Sequence, residues 1–90
     1  MALMRRSLNS RKRQTLADLA RGEEGTVEAL DLAEADARRL MELGFVPGAR
    51  VVAGRAAPGG DPRVFRVDGS EFALRKATAA RVRLRREKAA

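Results

Sequence analysis

Apolar residues at helical spacing mark the middle of the chain, in the segment DLAEADARRLMELG, residues 31–44. The apolar positions that recur three or four residues apart are Ala33, Ala37, Leu40 and Met41. Asp31 can accept hydrogen bonds from the first free backbone N–H groups of a helix, and Glu34, three residues later, completes a capping-box pattern. The pattern therefore predicts a helix that begins at Asp31.

A glycine and a Pro-Gly pair follow this helix in the run LGFVPG. Gly44 is predicted to end the helix, because glycine adopts a positive φ without a Cβ clash, and Pro47 cannot easily continue it. Gly44, Pro47 and Gly48 are thus expected to set the angle between the helix and the next strand. A helix-turn-helix DNA reader needs a second helix after a turn of roughly three or four residues, and the sequence offers none there.

Two short apolar segments precede the helix and are separated by Arg21, Gly22 and Gly25. They predict a first short strand from about Thr15, a turn, and a second strand over residues 26–30.

Strand-type patterns resume after the helix. ARVVAGRA, residues 49–56, predicts a strand, and the glycine-rich APGGDP that follows lacks the GxxxxGK[ST] pattern of a nucleotide loop, so it is interpreted as a wide turn. In RVFRVDGSEFALR, the pair Asp68-Gly69 predicts a type I′ hairpin. The final RVRLRR alternates, so Val82 and Leu84 are expected to face the core from an edge strand.

These elements predict a mainly β domain with one helix, placed between strands 2 and 3. About five short strands favour a small, partly open antiparallel barrel, since closure protects the edges of so short a sheet. The barrel is assigned to residues 15–86, with a basic, flexible tail at residues 1–14 and a short tail at residues 87–90.

The composition argues against catalysis and against a bound metal. The chain has neither cysteine nor histidine, so thiolate zinc sites, a cysteine nucleophile and the usual neutral-pH base are all missing. The carboxylates of Asp31 and Glu34 have a simpler role at the helix start. We expect no enzyme activity, no cofactor and no dedicated metal site.

No apolar run approaches the roughly 20 residues of a membrane span, so we expect a soluble protein.

Basic residues concentrate at the two ends of the chain. Residues 1–14 carry five basic and no acidic groups, residues 15–72 carry seven and eleven, and residues 73–90 carry seven and one. The basic ends could contact anionic lipid headgroups or nucleic-acid phosphates. Barrels that bind nucleic acid usually stack bases on exposed aromatics, however, and this chain has three Phe and no Tyr or Trp. A nucleic-acid-binding barrel is therefore kept as an alternative function and not as the leading one.

The apolar stripe of the helix is wider than one side of a small barrel requires. At about 100° per residue, Met41 and Leu43 fall on the two flanks of the face centred on Ala37 and Leu40. Core packing of these two side chains is the favoured interpretation, and presentation to a partner is the alternative.

Three segments together resemble the FeoA family of ferrous iron transport accessory proteins. They are LADLARGEEGTV, RRLMELGFVPGARV and AAPGGDPRVFRVDGSEFALRKATAARVRL, which occur in the family's order and at similar spacing over about four-fifths of the chain.

The resemblance implies an SH3-like barrel and a non-enzymatic, cytoplasmic protein that supports FeoB, the membrane ferrous-iron transporter with a cytoplasmic GTPase domain. It leaves a detached regulatory domain of a DtxR-like repressor as a further alternative. The helix rim, Arg39, Leu40, Met41 and Leu43, is the predicted contact surface. The basic tail is expected to touch the inner face of the membrane, and self-association stays open.

Overall fold

A single five-stranded antiparallel sheet organises the domain. The computed structural model describes residues 13–86. The strands are β1 (Glu24–Leu30), β2 (Arg50–Ala56), β3 (Arg63–Val67), β4 (Ser70–Leu74) and β5 (Val82–Leu84), and the helices are α1 (Glu34–Leu43) and α2 (Lys76–Ala79). The strand order is β4-β3-β2-β1-β5, so β4 and β5 are the edges. Within residues 13–86, neither helix is long and apolar enough to cross a membrane.

The segment predicted as the first strand is a 3-10 turn, Leu16–Asp18, with a single bridge from Thr15 to Arg83. The hydrogen bonds that hold this turn are local: Asp18 Oδ2 accepts from the backbone N–H groups of Gln14 and Thr15, each at 2.9 Å, and from the Thr15 hydroxyl at 3.4 Å. Leu16 and Leu19 are both buried, a spacing of three that suits a 3-10 turn and not a strand. The helix therefore lies between strands 1 and 2, and its predicted place between strands 2 and 3 was wrong.

The helix begins at Glu34, three residues after the predicted start. Asp31 is held instead by Arg81, the residue before β5, because its backbone N–H donates to the Arg81 carbonyl at 2.7 Å. Its carboxylate lies 3.9 Å from the Arg81 guanidinium. Ala33, with φ −57° and ψ 151°, precedes the first helical residue and offers no side-chain cap. The predicted capping box was wrong: Asp31 bonds to Arg81, and the start of the helix has no side-chain cap.

Gly44 ends the helix in the left-handed conformation, with φ 115°. Its N–H donates to the carbonyl of Met41 at 3.0 Å, and the N–H of Phe45 donates to the carbonyl of Leu40 at 3.1 Å. This pair of bonds is the Schellman motif, which satisfies carbonyls that the helix leaves free. The glycine stop is as the sequence predicts, and the motif turns Phe45 into the core, where it is fully buried.

The hairpin between β3 and β4 agrees with the Asp-Gly signal. Asp68 has φ 51° and Gly69 has φ 79°, the positive pair that a type I′ turn requires. The edge strand β5 also follows the prediction, since Val82 and Leu84 are buried and Arg83 is exposed. The four-residue helix α2, which buries Ala79, was not predicted.

One hydrophobic cluster joins the inner face of the sheet to the helix and the 3-10 turn. Its buried members are Leu16, Leu19, Val27, Leu40, Phe45, Val51, Ala53, Phe65, Val67, Leu74, Ala79, Val82 and Leu84. No buried side-chain nitrogen or oxygen among the described residues lacks a hydrogen-bond partner. The five antiparallel strands and one long helix agree with the mainly β prediction.

Replacing Gly44 by Ala should lower the free energy of unfolding by about 1–2 kcal/mol, because a Cβ is strained at a positive φ. The space is not the obstacle, since an added Cβ would lie 3.6 Å from Val67 Cγ1. Gly44→Asn is the matched variant, and it should lose less because Asn tolerates the left-handed region better. Chemical denaturation measures both. Equal stability of wild type and Gly44→Ala would contradict the backbone explanation.

Candidate partner-docking surface

Three large apolar side chains are exposed around the end of α1. They are Met41, Leu43 and Val46, with exposed fractions of 40%, 36% and 38%. We call these three residues the apolar rim. They are the exposed large hydrophobic residues of the part of the chain that the structure describes. Apolar side chains that are exposed close together on a small domain can form a patch that a partner covers, whereas single exposed ones are ordinary.

The rim corrects two expectations about the helix. The favoured interpretation, that Met41 and Leu43 pack in the core, was wrong. Both side chains are exposed and lie outside the hydrophobic cluster to which α1 contributes Leu40. The prediction that Leu40 belongs to the exposed contact surface was also wrong, since Leu40 is only 6% exposed. The reason is geometric: Leu40 lies at the centre of the stripe that faces the sheet, and the flanks of that stripe face solvent. Arg39 is exposed, as predicted.

A turn holds Val46 beside the helix end. Pro47 and Gly48 are its central residues, and it is closed by the N–H of Ala49 donating to the carbonyl of Val46 at 2.9 Å. Two more bonds attach the turn to β1: the Gly48 N–H donates to the Val27 carbonyl at 2.8 Å, and the Val27 N–H donates to the Ala49 carbonyl at 2.9 Å. Pro47 and Gly48 thus orient the rim as well as the following strand.

Val46 belongs to the surface and was missed from the sequence. Helical periodicity stops at Gly44, so no pattern indicates the direction of a residue beyond the cap. Its exposure is visible only in the structure, where it lies between the buried Phe45 and the exposed Pro47.

Charged residues of both signs flank the rim. Arg39 and Glu42 are exposed on the same helix, two residues before and one residue after Met41. Arg38 pairs with Glu34 one turn earlier, at 3.5 Å, on the exposed side of α1. Exposed charges around an apolar patch contribute to orientation and to rates of encounter more than to affinity.

Several acidic residues of the described chain pair with arginines. Glu23 pairs with Arg13 and Glu24 with Arg50, each at 3.4 Å. Within residues 13–86 no three acidic side chains come together as a group that could hold a metal ion.

The three phenylalanines offer no stacking platform for bases. Phe45 and Phe65 are buried. Phe72 is half-buried and packs edge-on against Phe45, with ring centroids 6.0 Å apart. Because single-stranded nucleic acid is usually bound on exposed aromatic rings, the structure gives the nucleic-acid alternative no support.

Comparison with known proteins identifies relatives. A family model described as the FeoA domain matches residues 14–86. The FeoA protein of Chlorobium tepidum is 33% identical and superposes with a TM-score of 0.74, over 78% of this chain and 67% of that one. The iron(II) transport protein A of Clostridium thermocellum is 28% identical, with a TM-score of 0.73, over 78% of this chain and 43% of that one.

A third relative is the FeoA of Stenotrophomonas maltophilia, whose structure was determined as a zinc complex and which is described as an SH3-domain protein. It is 40% identical, with a TM-score of 0.68, over 79% of this chain and 88% of that one. Curated protein sequences include no match. These neighbours agree with the SH3-like class that the sequence motifs implied. With the family model spanning the whole described domain, the chain belongs to the FeoA family, which is associated with ferrous iron transport.

Proposed function

We propose that this protein is a non-enzymatic accessory factor of ferrous iron uptake that docks on the cytoplasmic part of a FeoB-type membrane transporter. The observation that carries the proposal is the apolar rim, Met41, Leu43 and Val46, exposed around the end of a well-anchored helix. Membership of the FeoA family supplies the class of partner. The Stenotrophomonas maltophilia relative is described as a candidate ferrous iron transport activating factor, in keeping with an accessory role.

The physical basis of docking is burial of the part of the rim that remains exposed. Each of the three side chains is already more than half buried by its own domain, so covering the rest contributes roughly 1 kcal/mol per residue. The rim is also preorganised, because the Schellman motif and the 46–49 turn hold it by backbone hydrogen bonds. A partner that binds it does not first have to order a loop.

Binding, and not catalysis, is the proposed mode of action. The chain contains no histidine and no cysteine. Arg39 and Glu42 would orient the partner through charges at the edge of the rim, where exposed ion pairs are worth little affinity but disfavour wrong orientations.

We further propose a cytoplasmic location, peripheral to the inner face of the membrane through the basic tail. Arg13 and Gln14, the last two residues assigned to that tail, contact the domain: Arg13 pairs with Glu23, and the Gln14 carbonyl accepts from the Leu84 N–H at 2.8 Å. Residues 1–12 lie outside the described residues and carry four basic side chains.

Leu43→Glu should weaken binding to the cytoplasmic domain of a FeoB-type transporter by more than about tenfold, since it replaces an apolar contact by a carboxylate that docking would bury. Isothermal titration calorimetry measures the affinity, and thermal unfolding checks that the domain stays folded. Ala35→Glu is the matched control, because it adds the same charge at the exposed, opposite end of α1. Unchanged affinity for Leu43→Glu in a folded domain would show that the rim is not the docking surface.

Replacing Arg5, Arg6, Arg11 and Lys12 by Gln should reduce binding to phosphatidylglycerol-containing vesicles by more than about tenfold, because each basic residue near an anionic leaflet contributes about 1 kcal/mol. Vesicle co-sedimentation measures the partition, with phosphatidylcholine vesicles as the neutral control. Equal partition of wild type and variant on anionic vesicles would remove the proposed membrane contact.

A further inference from the structure

A cleft with an arginine rim lies on the outer face of the sheet, away from the core. It has a volume of about 420 Å³ and is formed by β2, β3, the start of β4 and the turn before β1. Its floor is made of small and apolar residues, Val52, Gly54 and Val64, and three arginines surround it, namely Arg21, Arg55 and Arg66. It contains no residue of α1 or of the apolar rim.

A β-bulge in β2 puts Arg55 on this face. Ala53 pairs with Phe65 and Ala56 pairs with Arg63, so two residues of β2 oppose the single residue Val64 of β3. Regular alternation after the buried Ala53 would place Gly54 outside and Arg55 inside, against the core. The extra residue keeps both outside, where both line the cleft. A bulge commonly re-aims a side chain in this way.

The turn before β1 brings Arg21 to the same place. The N–H of Gly22 donates to the carbonyl of Ala53 at 2.7 Å, and the N–H of Ala53 donates to the carbonyl of Glu23 at 2.9 Å. The turn itself is closed by the Glu23 N–H donating to the Ala20 carbonyl at 2.9 Å. Arg21 is therefore attached to the edge of the cleft by backbone bonds to the strand that carries Arg55.

The charges of the cleft are not balanced within the domain. Arg66 pairs with Glu71 at 3.1 Å across β3 and β4. Among residues 13–86, Arg21 and Arg55 have no carboxylate within ion-pairing distance and no side-chain hydrogen bond. Two positive charges thus remain available over an apolar floor.

We infer that this cleft binds a short acidic segment of a partner protein, with an apolar side chain on Val52, Gly54 and Val64 and carboxylates on Arg21 and Arg55. The arginines and Glu71 are exposed, and an isolated anion gains little from exposed arginines, because solvent and salt screen the attraction. The apolar floor can contact an apolar side chain of a peptide, whereas a free anion gains nothing from it. An arginine guanidinium can donate two parallel hydrogen bonds to one carboxylate, which makes arginine well suited to bind acidic side chains. The inference goes beyond transporter docking, since it concerns a different surface.

The test is a fluorescence-anisotropy titration of the full chain with a labelled peptide that has two leucines flanked by glutamates. Binding should saturate, weaken with added salt, and shift the backbone amide resonances of Gly22, Gly54 and Arg55 in a parallel NMR titration. Arg21→Gln combined with Arg55→Gln should weaken binding about tenfold, on the order expected for two exposed ion pairs. The matched control is Arg75→Gln combined with Arg83→Gln, which removes the same charge from exposed positions outside the cleft and should leave binding unchanged.

Each alternative ligand has its own outcome. The same peptide with glutamines should not bind, and inorganic phosphate should not saturate the site at millimolar concentration. The proposal is overturned if phosphate alone saturates the cleft, if single-stranded RNA binds there more tightly than the peptide, or if the control pair loses as much affinity as the cleft pair. Leu43→Glu should leave peptide binding intact, so failure here and failure of transporter docking are distinguishable.

Discussion

Burial of Phe45 immediately after the helix-ending Gly44 is the constraint on which the arrangement of the surface depends. Phe45 is fully buried, and removing a large aromatic side chain from water stabilises a small domain by roughly 1.5–3 kcal/mol. Its N–H is fixed to the carbonyl of Leu40, and its ring meets the edge of Phe72 on β4. With Leu40 and Phe45 both turned inward, the residues between and beside them face solvent, and this exposes Met41, Leu43 and Val46.

The two proposed binding surfaces differ in their physics. The apolar rim offers hydrophobic area around a rigid helix end, with charges of both signs beside it. The arginine cleft offers unpaired positive charge over a small apolar floor on the outer face of β2 and β3. Backbone hydrogen bonds between neighbouring segments hold both surfaces, so neither requires a loop to order on binding. A domain this small can therefore present two surfaces because one core supports both.

Local signals with a direct stereochemical cause were readable from the sequence. The Asp68-Gly69 hairpin, the Gly44 stop and the alternation of β5 follow from backbone sterics or from strand period alone, and the structure contains all three. The helix start was misplaced because a long-range bond to Arg81 competes for Asp31. The first strand was wrong because Asp18 organises a local 3-10 turn. Neither the exposure of Val46 nor the bulge that turns Arg55 outward has a periodic signature, since both depend on tertiary contacts.

The end of α1, held by Phe45, is the surface proposed to be covered by a FeoB-type transporter. Methyl cross-saturation NMR on this chain bound to the cytoplasmic domain of such a transporter tests it most directly. Docking at the rim should give saturation transfer to the methyl groups of Met41, Leu43 and Val46, with those of the buried Leu16 and Val82 unaffected. Transfer concentrated on Val52 and Val64, with the rim silent, would contradict it and move transporter docking to the outer face of the sheet.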